Sequence, residues 1–291
     1  MRKLFLLTLS FSFLLAFDIS KVSVLDYKVA NGKTGLLEFE KQQGIEYKSV
    51  KVGKKTFTVF SNPSNEDRKY VLIPFSYYEK AENKTLKIVY KENEKFKEET
   101  LLLKVVNGKY DKEEIQVSSS KVNPKSKEVK KRISKEYNEA MKIYGTVTPK
   151  SYISKPFILP LDSKITSSFG KARVYNGSLK GYHSGTDYRA AMGTPIKAAN
   201  DARVALVQKR FYSGGTVLLD HGEGIYTCYF HMSAFHVKQG QMVKRGEVLG
   251  LSGQSGRVTG PHLHFSARIN AVQVDPLQLI EIMNTKLLTG N

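Results

Sequence analysis

The sequence predicts a mainly β protein in which a small β-sandwich-like module and a connecting helix precede a C-terminal Gly-rich antiparallel β-sheet domain. Three observations carry this. Short alternating apolar runs separated by polar turns fill residues 18–120. One stretch of helical periodicity lies within 121–156. From residue 157 to 291 glycine becomes frequent, and short β patterns alternate with Gly turns. At 291 residues the chain is long enough to bury two cores, and a hydrophobic content of 41% excludes a disordered polymer.

The first element is the N-terminal run "MRKLFLLTLSFSFLLAFDIS". Arg2 and Lys3 precede an apolar stretch that ends at Leu15, short of the roughly 20 residues a membrane span needs. It reads as a secretory signal peptide over residues 1–17. Cleavage after Ala16 fits, although Leu14 departs from the small-residue pattern; an uncleaved signal would tether the chain to the membrane. No cysteine lies nearby, which argues against a lipoprotein.

Within 18–120, "TFTVF", "TLKIVY" and "LLLKV" alternate as strands, and "NGK", "SNPSNED" and a second "NGK" mark turns. Pro74 in "YVLIPF" marks an edge or a break. This module contains no histidine, no titratable cluster stands out in it, and its role reads as regulatory or positioning. The helix follows over 123–145, with Asn123–Pro124 as cap and first-turn proline and Gly145 as terminator. Val129, Ile133, Tyr137, Ala140, Met141 and Tyr144 form a packing stripe against a neighbouring domain. Residues 146–156 are a linker.

The C-terminal domain spans 157–291, its strands read from "ITSSFG", "ARVALVQ", "GGTVLLDHGEGIYTCYF", "GEVLGLSG" and "HLHFSARI". The formal charge of +19 favours polyanionic surroundings. That charge is spread over both halves without an Arg-rich block between aromatics, which argues against nucleic acid as the partner. Cys228 is the only cysteine, so no intramolecular disulfide forms; in "IYTCYF" it reads as a buried small hydrophobe.

All 6 histidines lie beyond residue 182, and that segregation asks for a site. His183 and Asp187 are four apart, and His262 and His264 two apart. In extended chain each pair shares a face, while Leu263 points to the core. Two imidazoles and a carboxylate suit zinc, and three protein ligands leave a position open, as in catalytic rather than structural sites. Any one of these histidines alone reads as structural; His231 and His236 are further candidates for acid/base or oxyanion work beside a metal.

"HSGTDYRAAMGTPIKAAN", the stretch from "GGTVLLDHGEG" through "TCYFHMSAFHVKQGQMVKRGEVLGLSGQSGRVTGPHLHF", and "VDP" at 274–276 resemble the lysostaphin/LytM-type zinc metallopeptidases that cleave peptidoglycan. The resemblance covers about residues 157–278 with every motif in order. It implies His183, Asp187 and His264 as zinc ligands, and His231 and His262 as catalytic residues. His221 and His236 match no functional position; "HGEG" around His221 reads as a turn. Ala202 and Met232 depart from the family's common Gly and Leu without touching a ligand.

The lead-in from "VNGKYDKEEIQ" is similar to exported Gram-negative members, which implies a periplasmic location and a monomer acting on peptidoglycan peptides. D,D-endopeptidase action on cross-links is the first expectation, with a part in cell-wall remodelling and cell shape. D,D-carboxypeptidase trimming is the alternative, as is a non-catalytic activator of a wall amidase. Retention of all three ligands speaks against the activator.

Overall fold

A computed structural model describes residues 17–116 and 124–289. The signal peptide read over 1–17 falls, but for Phe17, outside the described residues, as does Asn123. No helix among the described residues is long and apolar enough to cross a membrane.

The N-terminal half contains ten strands, of which the first nine form a sandwich. They are β1 (Val22–Val24), β2 (Lys28–Ala30), β3 (Thr34–Glu40), β4 (Ile45–Val52), β5 (Lys55–Thr58), β6 (Phe60–Asn62), β7 (Asn65–Pro74), β8 (Asn83–Glu92), β9 (Lys95–Val106) and β10 (Lys112–Ile115). One sheet runs β1-β3-β7-β6, and the other β2-β9-β8-β4-β5. Their facing sides share a core of Leu37, Phe39, Val71, Ile73, Leu86, Ile88 and Leu103. Pro74 ends β7, where its missing N–H breaks no ladder bond within the strand. β7 itself lies between β3 and β6, so the proline acts as a break and not as an edge marker.

Strand alternation gives β3 and β7 a second buried face. Leu36 and Leu72 stand opposite each other, as do Leu37 and Val71 one residue along. Leu37 and Val71 fill the sandwich, whereas Leu36, Tyr70 and Leu72 join the core of the C-terminal domain. The two halves therefore share packing through one sheet. Polar bonds register the contact: Gln278 both accepts from the Thr34 N–H at 3.0 Å and donates to the Thr34 carbonyl at 2.9 Å.

The connecting helix α1 (Lys127–Tyr144) begins later than the sequence suggests. Its N-cap is Ser126, whose Oγ accepts from the Val129 N–H at 3.3 Å, so Asn123–Pro124 is not the start. A hydroxyl three residues ahead of Val129 satisfies one of the orphan N–H donors of the first turn. Gly145 ends the helix by donating to the Met141 carbonyl. Only the last turns of the expected stripe pack: Ala140 and Tyr144 bury against Leu206, Leu218, Tyr226 and Cys228, while Tyr137 remains exposed.

The C-terminal domain holds β11 (Ile165–Ser167), β12 (Ala172–Tyr175), β13 (Ser178–Tyr182), β14 (Thr186–Arg189), β15 (Pro195–Lys197), β16 (Ala202–Arg210), β17 (Gly214–Asp220), β18 (Ile225–Met232), β19 (Ala234–Phe235), β20 (Met242–Val243), β21 (Val248–Leu251), β22 (His262–Ile269) and β23 (Val272–Val274). The main sheet is ordered β11-β14-β22-β18-β17-β16-β20, with β23 also on β22. A short helix α2 (Pro276–Ile282), capped by Asp275, closes the far side. The central strands β17 and β18 are buried almost throughout, and Val217, Leu219, Tyr229, Leu263 and Phe265 lie in their core.

β10 leaves the sandwich and pairs in parallel with β12 of the C-terminal domain, extending the β12–β13 hairpin to three strands. The stretch leading to it is pinned by Tyr110, whose hydroxyl donates to the Asn31 carbonyl at 2.6 Å and whose ring meets Phe169 edge-on.

Candidate metal centre

β14 and β22 run antiparallel with Asp187 opposite His264 and Tyr188 opposite Leu263. Opposite residues share a face. Tyr188 and Leu263 therefore go together into the core, and Asp187 and His264 emerge together on the other side. His262 follows the same alternation two residues from His264. His183 lies just past β13, where its N–H donates to the Lys171 carbonyl at 2.7 Å.

Asp187 Oδ1 is 2.9 Å from His183 Nε2 and 2.8 Å from His264 Nδ1, and those two nitrogens are 3.0 Å apart. Three donor atoms at such mutual distances form a triangle close to the about 3.3 Å edges of a tetrahedral ion bound at about 2.0–2.1 Å. The imidazole tautomers agree with ligation. His183 Nδ1 lies 2.8 Å from the Ser168 carbonyl, which can only accept. The proton of the neutral ring therefore sits on Nδ1, and Nε2 carries a lone pair into the triangle. The ring of His264 stacks on Phe230 at 5.4 Å and 8°, which fixes its plane. The residues present fit a divalent metal.

Electrostatics favour the ligating protonation states. Burial raises the Asp187 pKa, but hydrogen bonding with His183 and His264 outweighs it and holds the carboxyl well below its usual range. Burial pushes His264 down to about 4 against the pull of Asp187, so the ring is neutral at pH 7.

His231 and His262 stand beside this triangle with ring centroids 4.8 Å apart. His231 Nδ1 is 2.8 Å from the Ser255 carbonyl, and His262 Nδ1 is 2.9 Å from the Gly260 carbonyl. Both rings thus carry their proton on Nδ1 when neutral and present an unprotonated Nε2. His262 Nε2 is 3.7 Å from Asp187 Oδ1. Burial, followed by repulsion from His262 and His264, lowers His231 to about 3. His231 also adopts a positive φ of 65°, a conformation its side chain favours only when the surroundings fix it.

Of the expected site residues, His183, Asp187, His231, His262 and His264 come together on one groove of about 680 Å³. His236 is exposed and outside that groove. His221 is buried in the turn before β18, between the Asp201 carbonyl at 2.9 Å and Thr227 Oγ1 at 2.7 Å. Cys228 is buried and reduced, as its apolar surroundings suggest.

Three further residues at the groove carry no signal in the sequence: Ser167, Arg173 and Glu113. Arg173 donates to Asp187 Oδ2 at 3.2 Å, and Ser167 Oγ donates to Glu113 Oε2 at 3.0 Å.

A Gly-rich antiparallel sheet thus holds a His–Asp–His donor triangle on one groove, an arrangement that fits a metal-binding enzyme. Residues 181–276 match the family model of Peptidase family M23. The chain is 38% identical over 122 residues to the peptidoglycan DD-endopeptidase ShyA of Vibrio cholerae, covering 41% of this chain and 28% of ShyA. It is 43% identical over 97 residues to the DD-carboxypeptidase/endopeptidase Mpg of Neisseria meningitidis, covering 33% of this chain and 22% of Mpg. The chain therefore spans less than a third of these curated relatives. A crystal structure from Pseudomonas aeruginosa ascribed to peptidase M23 superposes with a TM-score of 0.65 at 27% identity, over 86% of this chain and 94% of that one. The likeness extends across the sandwich as well as the peptidase domain.

Proposed function

We propose that the chain is an exported zinc-dependent hydrolase that cleaves peptide bonds of peptidoglycan, with D,D-endopeptidase action on cross-links as its main activity. The observation that carries this reading is the triangle of His183 Nε2, Asp187 Oδ1 and His264 Nδ1 at 2.8–3.0 Å, open towards the groove. These three residues would hold zinc, which when bound polarises a scissile carbonyl and makes water nucleophilic near neutral pH.

The chain's own residues do the rest. The carbonyls of Ser255 and Gly260 lock the tautomers of His231 and His262, so each directs an Nε2 lone pair at the reacting atoms. His231 is held neutral and enters the reaction as a proton acceptor or a neutral hydrogen-bond partner, not as a cation. The ring that takes the proton from water on Nε2 is the one that then has a proton to hand to the leaving amine, while the other accepts a hydrogen bond beside it.

Relatives named for peptidoglycan D,D-endopeptidase activity support the substrate, and the signal read over 1–17 supports the periplasm of a Gram-negative cell. Mpg carries both activities in its name, which keeps D,D-carboxypeptidase trimming as a second activity of the same site. We assign 18–120 to the sandwich, 121–156 to helix and linker, and 157–291 to the peptidase, acting as a monomer with the sandwich as a regulatory or positioning module.

Digestion of purified sacculi and defined cross-linked muropeptides, with metal content measured on the same preparation, tests the reading. Cross-linked dimers converted to monomers, and loss of that activity with a chelator, are expected. A zinc-loaded chain that leaves both substrates intact overturns it.

A further inference from the structure

Asp187 divides its carboxylate between two tasks. Oδ1 faces His183 and His264, and Oδ2 accepts from Arg173 at 3.2 Å. A carboxylate free to rotate can bring either or both oxygens to a metal; one held at Oδ2 offers Oδ1 alone and leaves coordination positions open. Arg173 is suited to that task. Its planar guanidinium is always charged, and its side chain is only 12% exposed, as is that of Asp187.

Arg173 is itself held from the N-terminal half. Glu113 of β10 stands directly opposite Arg173 of β12 in the parallel register. Its Oε2 is 3.1 Å from Arg173 Nε and 3.0 Å from Ser167 Oγ. Having given its proton to Glu113, Ser167 Oγ can accept from Arg173 at 3.4 Å and from His183 Nδ1 at 3.2 Å. One carboxylate from β10 thus reaches Asp187 through Arg173 and His183 through Ser167. The charges alternate, Glu113 negative, Arg173 positive and Asp187 negative, so the buried Asp187 and the half-buried Arg173 each meet an opposite charge.

We propose that Arg173 is a positioning residue for Asp187 and that Glu113 sets it, so that the N-terminal half completes the metal site of the peptidase domain. The proposal rests on the zinc reading above in taking Asp187 as a ligand. It gives β10 a supportive function: the strand orders the ligands in addition to walling the groove.

Zinc affinity, measured on the full chain by competition with a chromophoric chelator, tests it without any substrate. Arg173→Met is expected to weaken zinc binding by about 10–100-fold, and the isosteric Glu113→Gln by about 10-fold. Arg173→Lys, which keeps the charge but loses the fork, falls between wild type and Arg173→Met. The Glu113→Gln/Arg173→Met pair loses less than the sum of the two single losses, because Glu113 acts on Asp187 through Arg173. The metal-free variants keep the wild-type melting midpoint, which separates ligand positioning from a merely structural role.

Wild-type zinc affinity in folded Arg173→Met overturns the proposal and leaves the peptidase reading intact, and additive losses overturn the part assigned to Glu113. Zinc binding by the wild type without hydrolysis of sacculi overturns the peptidase reading and leaves the relay standing. A wild type that binds no zinc overturns both.

Discussion

Asp187 and His264 face each other across two antiparallel strands, with Oδ1 and Nδ1 2.8 Å apart. His231 approaches the same centre from β18 but its ring lies 6.0 Å from that of His264, outside the donor triangle. Two kinds of loss are expected. His264→Ala removes a donor and abolishes both zinc retention and hydrolysis. His231→Ala retains zinc and loses activity by about 10²-fold or more, as a proton-transfer group should. Metal analysis beside sacculus digestion checks both, and a His231 variant active at the parental rate would remove that residue from the mechanism.

Gly185 lies between His183 and Asp187 of the donor triangle and is buried. A Cβ there would come within 2.4 Å of the Phe265 carbonyl oxygen and 2.6 Å of His264 Nε2. Neither neighbour can withdraw: one is backbone of β22, and the other is a ring of the donor triangle stacked on Phe230. Gly185→Ala is therefore expected to cost about 1–3 kcal/mol of stability and to weaken zinc binding in addition. Denaturant unfolding and the chelator competition read the two effects separately; an unchanged zinc affinity would mean that β14 shifts without disturbing His264.

The clustering of His183, Asp187 and His264 was legible in the sequence because their chemistry is local. His262 and His264 are two apart on β22, where strand period alone puts them on a common face; His183 lies four residues from Asp187 but before β14, and the bend at Gly185 rather than strand period brings it to Asp187. Glu113, Ser167 and Arg173 were not legible. Glu113 reaches Arg173 through a parallel pairing some sixty residues distant, and a Glu in a Lys- and Glu-rich chain carries no period to mark it. The helix start was misplaced for a related reason. Asn123–Pro124 and Ser126 are both competent starts in sequence, and only the Ser126 to Val129 bond decides between them. The double burial of β3 was hidden as well, because an apolar run buried on two faces does not say what covers the second.

Leu72 tests that shared face. It is 5% exposed, and it packs with Leu36 into the peptidase core while its neighbours Val71 and Ile73 fill the sandwich. Leu72→Ala is expected to cost about 2–5 kcal/mol and to lower the melting midpoint of one cooperative transition by several degrees. Calorimetry distinguishes the outcomes. A peptidase transition left at its original midpoint would mean that the two halves are energetically independent.

Glu223 supplies a pH dependence at the same interface. It sits in the turn before β18, 9% exposed, and accepts a hydrogen bond from the Tyr70 hydroxyl of β7. Burial raises its pKa to about 7, against the opposing effect of Tyr70, from an ordinary value of 4.5. The folded state therefore binds the proton more tightly than the unfolded chain. Its contribution to stability is complete below pH 4.5 and is lost as pH rises through about 7. A shift of that size corresponds to about 3 kcal/mol between the two limits. His221 works in the opposite sense: burial lowers it to about 4 from 6.5, so its contribution is present above pH 6.5 and is lost as pH falls towards 4. Comparing wild type with Glu223→Gln cancels His221, whose surroundings are common to both. Between pH 5 and pH 8 the wild type should lose stability relative to the Gln variant by about 3 kcal/mol in urea unfolding. Parallel pH profiles for the two proteins would mean that Glu223 reaches water in the folded state and that its bond to Tyr70 carries no titrating charge.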